Sequence, residues 1–253
     1  MDFVNDFDKI GNRIVETDNK KGSRIMLKAT WIGQLGLFIE SDEATIILDP
    51  YLSDYIKKVN PAKGRKMPID ETYLNLQPDF LLFTHNHIDH YDPETAPVYL
   101  EREQAMTVLA PTSVWNEARK FGGNHNYVQF NRHTVWTEKG VRFTAVKATH
   151  SDEYAIGFVI EELSSGDVFY VTGDTLYNTE IFADLPKKID AIFLPVNGAG
   201  NNMNMTDAAE FAKKTGAKKV VPLHFGMLDN LSPQGFTCKN RVIPEIYKEI
   251  KIR

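Results

Sequence analysis

The stretch Phe83-Thr84-His85-Asn86-His87-Ile88-Asp89-His90-Tyr91-Asp92 places four metal-ligating side chains within six consecutive residues. His85 and His87 stand two apart, so in an extended chain they point to the same side and can clamp one ion. Asp89 and His90 then turn toward a neighbouring position. Two histidines on a helix share an ion at i,i+4 spacing, so this pattern predicts a site built on a loop at a strand's end. His and Asp clustered between a strand and a helix point to metal binding or catalysis.

Four ligands do not complete a two-metal centre, and the chain supplies further donors just past predicted strands. They are His150 in Ala148-Thr149-His150, Asp174 in Thr172-Gly173-Asp174-Thr175, and His224 in Pro222-Leu223-His224-Phe225-Gly226. Each alone reads as an ordinary polar group; together with the first loop they read as ligands. His125 and His133 lie among Asn124, Asn126 and Asn131 and read as structural or solvated.

Strands and helices must bring these residues to one place. Short apolar runs at 25–31, 35–40, 45–48, 80–83, 107–109, 141–146, 155–161, 168–171, 191–195 and 219–223 predict strands. Asp92 is set to N-cap a helix with Pro93 in its first position and Glu94 in its first turn. Thr112 or Ser113 opens a second helix that Gly122 closes. Thr206 with Asp207 opens a third, over 208–214, that Gly216 closes. So many short strands exceed one ordinary open sheet, so two sheets face to face with helices outside are expected.

Composition narrows the class. The 253 residues are 42% hydrophobic and 25% charged, which suits one large globular domain over 1–253, with 1–24 as a lead-in. The single cysteine, Cys238, excludes a disulfide framework and Cys-rich zinc or iron–sulfur sites. Lys+Arg 29 against Asp+Glu 34 gives a net charge of −5, a poor footprint for nonspecific nucleic-acid binding. The start is acidic without an apolar core, and no run approaches a membrane span, so a cytoplasmic protein that does not enter the membrane is expected.

The ordered set His85, His87, Asp89, His90, His150, Asp174 and His224 resembles the metallo-β-lactamase superfamily of metal-dependent hydrolases, over Ile25 to about Leu231. Asp49, in Ile46-Ile47-Leu48-Asp49-Pro50, is similar to the strand-end aspartate that braces the metal loop in that superfamily. The resemblance implies an αββα sandwich of two mixed sheets. It implies His85, His87 and His150 on one ion, Asp89, His90 and His224 on another, and Asp174 between them. Two divalent ions outweigh the two aspartates and hold a bridging water as hydroxide near neutral pH. Asp89 would orient that hydroxide and shuttle its proton to the leaving group. Ligands of nitrogen and oxygen without thiolate suit Zn or Mn first, and also Fe or Co.

The motifs Trp31-Ile-Gly-Gln34, Asp49-Pro-Tyr-Leu-Ser-Asp54, Gly173-Asp-Thr-Leu-Tyr177, Pro195-Val-Asn-Gly198 and Gly200-Asn-Asn-Met-Asn-Met-Thr-Asp207 are similar to the branch containing L-ascorbate-6-phosphate lactonase. That implies hydrolysis of a lactone or ester of a small, anionic or phosphorylated metabolite. The alternatives are a phosphodiesterase of the same superfamily and a non-catalytic metal or ligand sensor. Residues 51–78 form a candidate active-site loop carrying Lys57, Lys58, Lys63, Arg65 and Lys66; Arg65 and Lys66 are candidate phosphate contacts, against a solvated basic loop. Asn197 and Tyr177 are candidate rim residues for hydrogen-bonding substrate. Trp115, Phe121 and Tyr127 belong either to a core or to an interface between copies of the chain, which leaves a homo-oligomer open.

Overall fold

The computed structural model describes residues 26–252, so the expected lead-in over 1–24 and the first residue of the first expected strand lie outside the described residues. Twelve strands form two six-stranded sheets. The first sheet runs β1 (Lys28–Gly33), β2 (Gly36–Glu40), β3 (Thr45–Leu48), β4 (Phe80–Leu82), β5 (Thr107–Ala110) and β6 (Asn126–Gln129) in spatial order. The second holds β7 (Val135–Glu138), β8 (Val141–Lys147), β9 (Ile156–Glu162), β10 (Asp167–Val171), β11 (Ala191–Pro195) and β12 (Lys219–Leu223), also in chain order. Each sheet starts antiparallel and ends parallel, from β3 onward in the first and from β10 onward in the second. Parallel neighbours cannot be joined by a tight turn, and the crossovers between them carry the helices. These are α1 (Tyr55–Val59) and α2 (Glu71–Asn75) after β3, α3 (Thr95–Leu100) after β4, α4 (Thr112–Ala118) after β5, and α5 (Met205–Thr215) after β11.

The strands are near-continuous apolar runs because both faces are covered. Ile46, Leu48, Phe80 and Leu82 enter the core between the sheets, while Ile47, Leu81 and Phe83 face α3 and α4. Phe80 meets Phe143 of the opposite sheet at 4.8 Å between ring centroids, and Phe130 stacks on Phe158 at 5.4 Å. On the far side α5 buries Ala208, Phe211 and Ala212. This is the expected αββα sandwich. Among the described residues no helix is long and apolar enough to cross a membrane.

Local signals differ from expectation in four places. Strands β6 and β7 lie in the stretch that reads as polar loop around His125 and His133; their half-exposed patterns lack the apolar run that marks the others. Asp92 does cap the turn into α3, accepting from Glu94 N at 3.1 Å and from Thr95 Oγ1, although the helix proper starts at Thr95. For α5 the cap is Asn204 rather than Thr206: its side chain accepts from Thr206 N and Asp207 N at 2.9 and 3.0 Å. Residues 51–78 are not a plain loop; they hold α1, α2 and a 3₁₀ turn, Pro61–Lys63. Trp115 and Tyr127 pack against the outer face of the first sheet, and Phe121 is partly exposed.

The sheets are tied together at the edge where β4 ends. Ile156 N, at the start of β9, donates to Thr84 O at 3.0 Å across the sandwich. Gly173, after β10, makes this approach feasible: φ is +66°, and a Cβ there would sit 2.6 Å from Ile156 O and 3.1 Å from Thr84 Cβ. Gly173→Ala is expected to lower stability by more than about 1–2 kcal/mol, the cost of the left-handed backbone alone for an L-residue. Thermal or urea unfolding measures it; an unchanged midpoint would show that the seam between the sheets is slack.

Candidate metal centre

The predicted ligands and the bracing aspartate, Asp49, project from one end of the sandwich. Asp49 follows β3, His85 to His90 follow β4, His150 follows β8, Asp174 follows β10 and His224 follows β12. These are carboxyl ends of strands, where open α/β sheets place their ligand sites. His85 and His90 are fully buried, Asp174 and His224 nearly so, and His87, Asp89 and His150 are half-buried.

The donors form two groups. His87 Nδ1 stands 3.1 Å from His150 Nε2, and His85 belongs to the same group. In the second group His224 Nε2 lies 3.3 Å from both Asp89 Oδ2 and Asp174 Oδ2, and His90 Nε2 lies 3.4 Å from Asp174 Oδ2 and 3.9 Å from Asp89 Oδ2. Nitrogen and oxygen donors about 2.0–2.2 Å from a tetrahedral ion stand roughly 3.3–3.6 Å from one another; the three spacings to Asp174 and from His224 to Asp89 fall in that range, and the 3.1 and 3.9 Å spacings lie a few tenths outside it. The Nε2 atoms of His85, His90 and His224, and Oδ1 of Asp174, are buried without a hydrogen-bond partner of good geometry. Buried polar atoms are rarely left so, and divalent ions would satisfy them. The residues fit a metal centre.

Each imidazole is held by the nitrogen that does not face its group. His90 Nδ1 donates to Asp49 Oδ2 at 2.8 Å. His85 Nδ1 lies 2.9 Å from Thr84 Oγ1, which donates to the same Asp49 oxygen at 2.5 Å. His150 Nδ1 donates to Asn201 O at 3.2 Å. His87 is anchored the other way round, its Nε2 3.0 Å from Ser151 Oγ, and it therefore offers Nδ1. The Asn197 amide lies 3.1 Å from His224 Nδ1. The carboxylates are held too: Gln34 Nε2 donates to Asp89 Oδ2, and Asn202 Nδ2 to Asp174 Oδ2, both at 2.8 Å. A further His/Asp group, Asp49 with His85 and His90, is the brace beneath the centre, since Thr84 N, Thr84 Oγ1 and His90 Nδ1 already occupy the Asp49 oxygens.

The candidate substrate residues separate. Asn197 lines the cavity above the centre. Tyr177 does not; its ring packs on Phe182 and Phe211, under the Lys214 ammonium. Arg65 and Lys66 are not in the cavity wall either. The Arg65 guanidinium donates to the carbonyls of Tyr51 and Met67 and to Tyr247 Oη, so it braces its own loop, and Lys66 Nζ donates to Asn230 Oδ1. His125 is buried beside Leu100 O and His133 pairs with Asp184, both outside the centre. Sequence reasoning assigned no role to Gln34, Thr84, Ser151, Asn201 or Asn202. The one signal available was position: Gln34, Thr84, Asn201 and Asn202 fall inside the motifs that carry or flank the ligands. Gln34, Asp49 and His224 also adopt positive φ (47°, 43° and 59°), a strained backbone for non-glycine residues that recurs at functional sites.

The family described as "Beta-lactamase superfamily domain" matches residues 44–225. The chain belongs to this superfamily and has the metallo-β-lactamase fold. It is similar to a UPF0173 protein of Pyrococcus furiosus, 25% identical over 231 residues that cover 89% of this chain and 97% of that one. It is also similar to a UPF0173 metal-dependent hydrolase of Geobacillus thermodenitrificans, 29% identical over 232 residues that cover 83% and 91%. Among solved structures it resembles Igni18, a metallo hydrolase from Ignicoccus hospitalis (TM-score 0.60, 21% identity, 79% of this chain and 83% of that one). It also resembles the metallo-β-lactamase fold protein YhfI of Bacillus subtilis (TM-score 0.64, 17% identity, 87% and 97%).

Without metal the two groups differ in charge. Burial, reinforced by the nearby His90, pushes the His85 pKa well below its ordinary value, and burial likewise lowers that of His150. Burial also opposes charge on His90 and His224, but Asp174 and Asp89 override it. They hold His90 protonated well above its usual range and raise His224 to about 10. The same pairing holds both carboxyls below theirs despite burial. Metal bound at His224 Nε2 must displace that proton. Metal affinity at the Asp89–His90–His224 group is therefore expected to rise with pH from 6.5 to 9, with proton release seen by calorimetry in buffers of different ionisation enthalpy. A pH-independent affinity with no released proton would contradict the charge assignment. Asp49→Asn, which weakens the hold on His85 and His90, is expected to lower metal affinity about 10–100-fold, measured by competition with a chromophoric chelator.

Proposed function

We propose that the chain is a metal-dependent hydrolase that uses two divalent ions to cleave a lactone or ester of a small metabolite. The observation that carries this reading is the pair of donor groups, with ligand-like spacings and unpartnered atoms, at the floor of a cavity of about 370 Å³. A volume of that size suits a small molecule.

His85, His87 and His150 would hold one ion, Asp89, His90 and His224 the other, with Asp174 between them. Such ions supply an activated water and polarise the bond under attack. The chain's own residues do the rest. Asp89 is the most exposed of the three carboxylates, its side chain 16% exposed against 5% for Asp174 and 0% for Asp49, and it lines the cavity. It is therefore the group placed to receive a proton from water and return it to the leaving oxygen. Gln34 keeps one Asp89 oxygen in place, and Asn197 and Asn202 set neutral amides in the wall. These amides can hydrogen-bond a carbonyl substrate beside the ligands.

Asp89→Ala is expected to lower kcat by about 10²–10⁴-fold, the usual worth of a positioned acid–base group, with the unfolding midpoint little changed. The assay is a panel of lactones, carboxylic esters, phosphodiesters and phosphomonoesters on protein with Zn or Mn restored. Turnover confined to phosphodiesters would replace the lactone or ester reading. No turnover in any class by metal-loaded protein would overturn the hydrolase reading and leave a binding protein.

A further inference from the structure

The cavity over the metal centre has one wall from α1 and the 3₁₀ turn that follows it. Ile56, Val59 and, facing them, Leu228 line it with apolar surface, and Lys63 lines it with charge. The basic run over 57–66 has five cations, and four of them are engaged elsewhere. Lys57 pairs with Asp54 at 4.0 Å and Lys58 with Glu94; Arg65 braces the loop and Lys66 meets Asn230. Lys63 is the cation of this run that lines the cavity, and among the described residues its ammonium makes no ion pair or hydrogen bond. The cavity-lining acid outside the metal centre, Asp229, turns into its own chain, where Oδ1 accepts from Gly226 N and Leu231 N at 2.7 and 2.9 Å.

We infer that the substrates are small amphipathic esters or lactones whose far end carries an anion, a carboxylate or a phosphate. The anion pairs with Lys63 and a short apolar stem lies against Ile56, Val59 and Leu228. This rests on the hydrolase reading and adds the substrate class to it. A cation, an apolar wall and a metal centre share one cavity and select molecules that carry all three matching groups. Neutral esters of equal length lack the outer contact, and polyanions have no second cation of this run to meet.

The test uses the full chain loaded with Zn or Mn and a matched pair of substrates, the 4-nitrophenyl half-ester of glutarate and its neutral methyl ester. A third ester carries a phosphonate in place of the distal carboxylate, so that the two anions are compared. Lys63→Glu is expected to raise KM for the anionic esters at least tenfold relative to the neutral one, with kcat for the anionic esters moving less than KM. Lys57→Glu, an equal charge change outside the cavity, is expected to leave that ratio within twofold. The wild-type preference for the anionic esters falls with added salt. A separate reading comes from calorimetry with glutaranilic acid and its primary amide, neither of which has an ester bond: wild type binds the acid more tightly, and Lys63→Glu abolishes the difference. Equal preference in wild type and Lys63→Glu, by kinetics or by binding, overturns the role of Lys63. If metal-loaded protein hydrolyses neither ester while turning over another class of the panel, the ester reading falls, and the calorimetric comparison still decides whether Lys63 selects anions.

Discussion

The centre depends on one fully buried carboxylate, Asp49, and on where its two oxygens go. One accepts the backbone N–H of Thr84, and the other takes both the Thr84 hydroxyl and His90 Nδ1. An unpaired carboxylate in that position would be prohibitive, so the metal loop must supply donors in this arrangement whenever the sheet is formed. Once it does, two imidazoles are fixed with their outer nitrogens free. Asp49 therefore converts burial, the general driving force of the fold, into orientation of particular ligand atoms. The strained backbone at Asp49 is tolerated because the loop, the strand and the carboxylate hold it from three sides.

The same logic extends outward. Every ligand is gripped by a partner that decides which of its atoms is offered, and those partners come from both sheets and from the turns after β1, β8 and β11. Gln34 links several of them. Its side chain holds Asp89, and its carbonyl accepts both the Trp31 indole N–H and the His224 backbone N–H. Trp31 in turn packs on Phe225, the residue after His224. Core packing and ligand placement are thus coupled through one tight turn rather than arranged independently.

The ligands were legible in the sequence because the chemistry admits few residue types: five of the seven histidines, with Asp89 and Asp174, could be picked out by position after strands. The strands that flank them were legible because burial on both faces leaves an apolar run. What escaped was whatever acts through groups that every sequence has in abundance. Thr84, Ser151 and the Asn201 carbonyl grip histidines, yet nothing distinguishes them from any other hydroxyl or peptide. Strand β6 escaped because Asn126-Tyr127-Val128-Gln129 is only half covered at the sheet's edge. The basic run showed that cations were present, but which of them faces the cavity is settled by the turn at Pro61–Lys63 and by the internal hydrogen bonds of Arg65, neither of which follows from charge pattern.

The division of the ligand set between the sheets has a consequence for how the molecule comes together. The first half of the chain contributes His85, His87, Asp89 and His90; the second contributes His150, Asp174 and His224, so neither of the two groups that face the cavity is complete within one half. Contacts of such large sequence separation form late, because loop-closure entropy must be overcome before they contribute. An ion held by those donors would tie the two sheets together at that end of the shared core and resist their separation. The contact of Ile156 N with Thr84 O, packed under Gly173, lies at that same end and would share the load.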